Sequence, residues 1–183
     1  MTGIRLSEVV LRTTDYDRLG DFYSLLLDQP RSVEMTPPYS DDPDEPARIC
    51  FFDFYFDPPY TERIAVFECK DVGDGPSSHG LHHFQLRAPT IEALLELYHT
   101  LKHNGHLPVD VSNHGPGTSF YYRDPDGNKV ELSSLNFSSR EQLREFMATD
   151  EFKSNPNGFP LDPERLAAGA RAGRNLSELI WER

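Results

Sequence analysis

Two stretches of this chain carry the same pattern of apolar and polar positions at a constant offset of 75 residues. Residues 8–27 and 83–102 each read as a short strand, a polar helix-start signal and then apolar residues at helical spacing. Identities fall at Leu11 and Leu86, Arg12 and Arg87, Leu19 and Leu94, Tyr23 and Tyr98, and Leu26 and Leu101. In the first unit the pattern predicts a strand over 5–13 and a helix over 15–28 that buries Leu19, Phe22, Tyr23, Leu26 and Leu27. Strands follow near 31–36, 48–56 and 63–70. In the second unit 81–87 is a strand, and Thr90 caps a helix whose stripe is Ile91, Leu94, Leu95, Tyr98 and Leu101. Gly105 suits its C-terminal cap, and strands near 107–112, 118–123 and 128–134 complete the unit. The fold class is therefore α+β, built from two tandem βαβββ modules, 5–72 and 79–135 within residues 1–135.

The last two strands of the second module flank Asp124-Pro-Asp-Gly-Asn128, strong turn chemistry in which Gly127 takes a positive φ without strain. In the strand after it, Val130 and Leu132 share one face, and Glu131 shares the other with Lys129. Tyr55-Phe-Asp-Pro58 echoes Tyr122-Arg-Asp-Pro125 at an offset of 67. Phe51, Phe52, Phe54, Tyr55 and Phe56 predict a strand buried on both faces, with some rings free to line an aromatic pocket. The acidic, proline-rich segment 37–46 reads as a surface loop or, alternatively, as a lid.

Beyond Asn136 the pattern turns helical. Ser138 or Ser139 caps a short helix carrying Leu143, Phe146 and Met147. An Asn155-Pro-Asn-Gly158 turn follows, and Pro163 opens a second, Gly-interrupted helical stretch from Leu166 to Ile180. Residues 136–183 form a C-terminal helical extension, expected to clamp the outside of the sheets or a partner subunit.

A net charge of −12 over 183 residues argues against nucleic acid and anionic membranes as partners. Cys50 and Cys69 are the two cysteines, which give no disulfide framework and suit a reducing compartment. With no secretory signal pattern and no apolar run of membrane-spanning length, a cytoplasmic protein is expected, and a homo-oligomer remains open.

The motifs Glu8-Val-Val-Leu-Arg12, Gly80-Leu-His-His-Phe84 and His114-Gly-Pro-Gly-Thr-Ser-Phe-Tyr-Tyr-Arg-Asp-Pro-Asp-Gly-Asn-Lys-Val-Glu131 resemble the vicinal oxygen chelate superfamily. That superfamily includes glyoxalases, bleomycin-resistance proteins and type I extradiol dioxygenases. The resemblance covers 5–135 and leans toward the small two-module dioxygenases. It implies that the paired modules curl a mixed sheet into a cup around a divalent metal, Fe(II) first, with Mn(II), Zn(II) or Mg(II) as alternatives. Carried over by position, the metal ligands are Glu8, His83 and Glu131, and the acid/base and substrate-binding residues are His114 and Tyr121. Glu8 stands where the dioxygenases have histidine. A further carboxylate in the glyoxalase scheme would fall at Ile64 or Ala65, neither of which can ligate.

On its own, each residue also suits a plainer role: Glu8 or Glu131 as a solvent-facing strand carboxylate, His114 as a loop histidine, Tyr121 as a packed tyrosine. His82, by strand alternation, points away from His83 and reads as structural. The resemblance implies an enzyme that binds a small aromatic or vicinal-dioxygen substrate and cleaves its ring by extradiol dioxygenation. A lyase, isomerase or epimerase on the same scaffold, or a metal-free binder of an aromatic molecule, are the alternatives.

Overall fold

The structure is a computed structural model that describes residues 3–38, 45–69, 80–123 and 129–182, with the side chains of Leu25 and Leu26 excepted. The turn 124–128, most of the 37–46 loop and the junction between the modules lie outside the described residues.

Both modules take the order the pattern predicts. The first runs β1 (Arg5–Thr13), α1 (Tyr16–Leu27), β2 (Val33–Met35), β3 (Arg48–Asp57) and β4 (Tyr60–Glu68). The second runs β5 (Gly80–Arg87), α2 (Ile91–His103), β6 (Asp110–Asn113), β7 (Gly117–Arg123) and β8 (Lys129–Leu135). Within each module the first and last strands pair in parallel, β1 with β4 and β5 with β8, and β1 pairs antiparallel with β5 to join the modules. Among the described residues the sheet order is β2-β3-β4-β1-β5-β8-β7-β6-β9, where β9 is Phe159–Pro160 from the C-terminal extension.

Helices α1 and α2 cover one face of this sheet. Tyr16, Leu19, Tyr23 and Leu27 of α1 pack on Cys50, Phe52 and Val66, whereas Phe22 is 54% exposed. Tyr16 extends the stripe one turn back and takes the place expected of Phe22, whose ring meets Tyr23 edge-on. On α2, Ile91, Leu94, Leu95 and Tyr98 are buried, and Thr90 accepts from Ala93 N as its cap. Asn104 occupies the C-cap, with Gly105 just beyond it at a φ of +85°.

Two strand expectations shift. Ile49–Phe52 are buried on both faces, yet Phe54 and Tyr55 are exposed, at the point where the register shifts between Asp53 and Tyr55. β6 begins only at Asp110, and Leu107 and Val109 are exposed before it.

The C-terminal extension does more than clamp the outside. α5 (Pro163–Arg171) and α6 (Leu176–Leu179) bury Leu166, Ala167, Leu176 and Leu179 in one core with α2, and a positive-φ Gly173 separates the two helices. β9 lengthens the sheet beside β6. α3 (Arg140–Met147), capped by Ser139, and α4 (Asp150–Ser154) instead face the uncovered side of the sheet, where Leu143, Met147 and Phe152 help to wall a cup.

Candidate active site

The side of the sheet opposite α1 and α2 encloses this cup, about 550 Å³ in volume, a size that suits a small organic ligand. Its floor is a row of residues paired strand to strand: Arg63 on β4, Glu8 on β1, Gln85 on β5, Glu131 on β8 and Tyr121 on β7. Alternation along β5 adds His83 on one side of Gln85 and Arg87 on the other. Glu8 and Glu131 are only 5% and 4% exposed, which removes the solvent-facing reading of both, and His83 is as deeply buried. Phe51, Phe56 and Phe67 supply an aromatic wall.

Two β-bulges fix which side chains enter the cup. Where Val10 pairs with His83 but Leu11 pairs with Leu81, β5 carries an extra residue, His82. The bulge cancels the alternation that would send His82 to the opposite face. His82 therefore lines the cup, its Nδ1 is 2.6 Å from His83 Nδ1, and both rings pack on Phe67. A second shift, between Leu6 and Glu8, brings Glu8 opposite Gln85.

Glu131 is the centre of the hydrogen bonding. His83 Nε2 lies 3.0 Å from its Oε2, while Gln85 Nε2 and Ser119 Oγ donate to Oε1 at 2.7 and 2.6 Å. Burial opposes ionisation of this carboxyl, but the hydrogen bond from His83, the charges of His83 and His114, and Ser119 outweigh it and hold it well below the ordinary carboxylate range. An ionised carboxylate only accepts, so His83 Nε2 donates to it, while His83 Nδ1 shares its contact with His82 Nδ1. Gln85 is oriented from its other end by Arg87 Nη2, which donates to Oε1 at 2.6 Å.

A second pair stands beside the first. His114 Nε2 is 2.9 Å from the Tyr121 hydroxyl, and its Nδ1 is 2.7 Å from the Asn157 carbonyl. Since a carbonyl oxygen only accepts, Nδ1 bears a proton and donates to Asn157, which leaves Nε2 to face the tyrosine hydroxyl. Burial first, and then the Glu131 charge, push the Tyr121 hydroxyl well above its ordinary pKa, so it stays protonated at neutral pH. The Tyr121 and His83 rings meet edge-on, with centroids 6.1 Å apart. The carbonyl of Asn157 reaches His114 because Gly158, at a φ of +73°, lets the chain pass against the Asn113 backbone, where a Cβ would lie 1.8 Å from the carbonyl oxygen.

Glu8 is placed differently. Its carboxylate accepts from Arg63 Nε in a buried ion pair, and the Arg63 guanidinium lies over the Phe51 ring. Burial disfavours the Arg63 cation, and Glu8 with Asp53 more than offsets this. The module symmetry explains the arrangement: Val10 pairs with Ala65 as Gln85 pairs with Glu131, so Ala65 is the counterpart of Glu131, and Arg63, opposite Glu8, comes two residues earlier.

Among the described residues no three His, Cys, Asp or Glu side chains are grouped closely enough to hold a metal ion. The donors nevertheless suit one. His83 Nε2 and Glu131 Oε2 lie 3.0 Å apart, and both could hold an ion in place of the proton they now share. Glu8 is on the same wall, two strands from Glu131, but is engaged by Arg63. One imidazole and two carboxylates form a hard, mixed donor set that suits Fe(II), Mn(II) or Zn(II).

The sequence motifs give no site role to Arg63, Gln85, Arg87, Ser119 or Asn157. Gln85 and Arg87 were within reach, since they follow His83 at strand period and share its face. Arg63 and Asn157 depend on strand register and on the path of the C-terminal extension, which leave no local signal.

The Glyoxalase/Bleomycin resistance protein/Dioxygenase superfamily profile matches residues 5–132. Biphenyl-2,3-diol 1,2-dioxygenase 2 of Rhodococcus globerulus is 31% identical over 177 residues, 96% of this chain and 86% of that protein. Biphenyl-2,3-diol 1,2-dioxygenase 3 of the same organism is 38% identical over 120 residues, 64% of this chain and 63% of that protein. Among solved structures, a methylmalonyl-CoA epimerase of Streptomyces coelicolor shares the fold with a TM-score of 0.52 at 15% identity, over 70% of this chain and 95% of its own. The epimerase of Mycobacterium tuberculosis gives 0.51 at 16% identity, over 70% and 85%. Paired βαβββ modules, a cup walled by their joined sheet and a profile match across nearly all of both modules lead to one assignment: the chain belongs to the Glyoxalase/Bleomycin resistance protein/Dioxygenase superfamily.

Proposed function

We propose that this protein is a divalent-metal-dependent enzyme that binds an aromatic vicinal diol in the cup and opens its ring by extradiol-type dioxygenation. The observation that carries the reading is the buried His83–Glu131 pair standing next to the His114–Tyr121 pair inside an aromatic-walled cup. The two dioxygenase relatives from Rhodococcus globerulus support the same chemistry.

His83, Glu131 and Glu8 would hold the ion, Glu8 by exchanging Arg63 for it. Bound there, a divalent ion supplies Lewis acidity to the two substrate oxygens. Phe51, Phe56 and Phe67 sandwich the ring. His114 Nε2, with its tautomer fixed by the Asn157 carbonyl, takes the proton of a substrate hydroxyl placed at Tyr121 and can return it later. Tyr121, protonated, orients that oxygen. Leu143, Met147 and Phe152 exclude water from the reacting face.

One observation favours a second reading, a metal-free binder of the same aromatic ligand: Arg63 already neutralises Glu8. Elemental analysis of protein purified without chelators, beside Glu131→Ala, followed by anaerobic Fe(II) reloading and oxygen uptake with a catechol, separates the two. Stoichiometric metal in the parent, its loss in the variant and catechol-dependent uptake support the enzyme. Absence of metal in both, with no uptake after reloading, leaves the binder.

A further inference from the structure

Among the described residues, Arg87 is a buried cation without an anionic partner. It is 3% exposed and lines the cup, its Nη2 donates to the neutral amide of Gln85, and its Nε has no partner. Among the described residues its side chain makes no ion pair, unlike Arg63, which is closed by Glu8. Burial, and then the neighbouring Arg63 cation, push Arg87 down to about 10, against a smaller opposing pull from Glu131 and Glu8. A guanidinium withdrawn from water without a counter-charge is costly, and its planar fork of five N–H donors matches a carboxylate. Gln85 uses little of that fork.

The surroundings favour an anion there. The chain carries −12 overall, yet Arg63, Arg87, Arg123 and Lys129 equal in number the acidic side chains of the cup wall. An anionic ligand therefore meets no net charge of its own sign inside. Arg87 lies two residues beyond Gln85, about 6.6 Å further along the strand, on the side away from His83. That displacement is comparable with the length of a substituted benzene ring.

We propose that Arg87 is an anion subsite of the cup and that the ligand is an aromatic dihydroxy acid, its carboxylate on Arg87 and its diol toward His83 and Glu131. The diol half rests on the function proposed above, whereas the anion half rests on Arg87 alone. Anaerobic calorimetric titration of the protein as purified, with 3,4-dihydroxybenzoate, uncharged 4-methylcatechol and 4-methylbenzoate, tests both halves. The parent is expected to bind the dihydroxy acid at least about tenfold more tightly than 4-methylcatechol. Arg87→Gln should erase that preference by weakening the two acids, with a much smaller effect on 4-methylcatechol, and Arg87→Lys should restore part of it. A residue that merely orients Gln85 would instead weaken all three ligands alike. Equal affinity of the parent for the acid and the neutral diol, no binding of either acid, or a preference that survives Arg87→Gln overturns the subsite. Should Arg87→Gln fail to fold, the parent comparison decides. If 4-methylbenzoate binds as tightly as the dihydroxy acid, the anion subsite stands and the vicinal-diol reading falls.

Discussion

Glu8 and Arg63 face each other across the parallel β1–β4 pair, and the guanidinium donates to a carboxylate that is otherwise buried among the cup residues. Removing one member strands the other in a low-dielectric wall. Arg63→Met should destabilise the protein by about 3 kcal/mol, and Glu8→Gln combined with Arg63→Met should recover most of that loss. Urea unfolding of the single and double variants measures it. Glu8→His, which removes the partner of Arg63 and supplies an imidazole, should raise metal retention after anaerobic Fe(II) reloading. Unchanged metal content in that variant would count against a ligand role for this position.

Acidification should act through Glu131. Its carboxyl is held well below its ordinary value in the folded protein, with His83 and His114 outweighing burial. A carboxyl depressed in this way contributes stability that is fully present above its unfolded value of about 4.3 and drains away as the pH falls toward the folded value. Stability from urea unfolding should therefore drop below about pH 4, and Glu131→Gln should flatten this part of the profile. An equally steep profile in the variant would show that other carboxyls dominate acid unfolding.

The His114–Asn157 contact ties the C-terminal extension to the chemistry of the cup. Gly158→Ala forces a Cβ into the space held by the Asn113 carbonyl and requires a positive φ of a residue with a side chain. The variant should lose at least about 2 kcal/mol of stability and free His114 Nδ1 from its carbonyl. NMR titration of the His114 ring should show a changed tautomer, with the Tyr121 hydroxyl contact weakened. His114→Ala should lower turnover by about 100-fold or more, with a smaller effect on substrate binding.

Much of this architecture is written locally. The 75-residue repeat announces two βαβββ units because strand and helix periods are properties of neighbouring residues, and Thr90, Ser139 and Gly105 mark helix ends by their own backbone chemistry. The alternation that puts Glu131 on the face opposite Val130 is local too, and the structure brings Glu131, His83, His114 and Tyr121 together inside one cup. His82 escaped this logic because a bulge shifts alternation by one residue, and a bulge is decided by the partner strand.

The sequence by itself thus determined the elements, their order and the chemical types that face inward, since each depends on spacing along the chain. Only the tertiary structure decided who neutralises whom. Arg63 meets Glu8, Gln85 meets Glu131 and Asn157 closes on His114 through contacts between residues 55, 46 and 43 positions apart, while Arg87 has no anion beside it among the described residues. Such pairings follow from strand register and from the fold-back of the extension, and a buried charge takes whichever partner those place beside it.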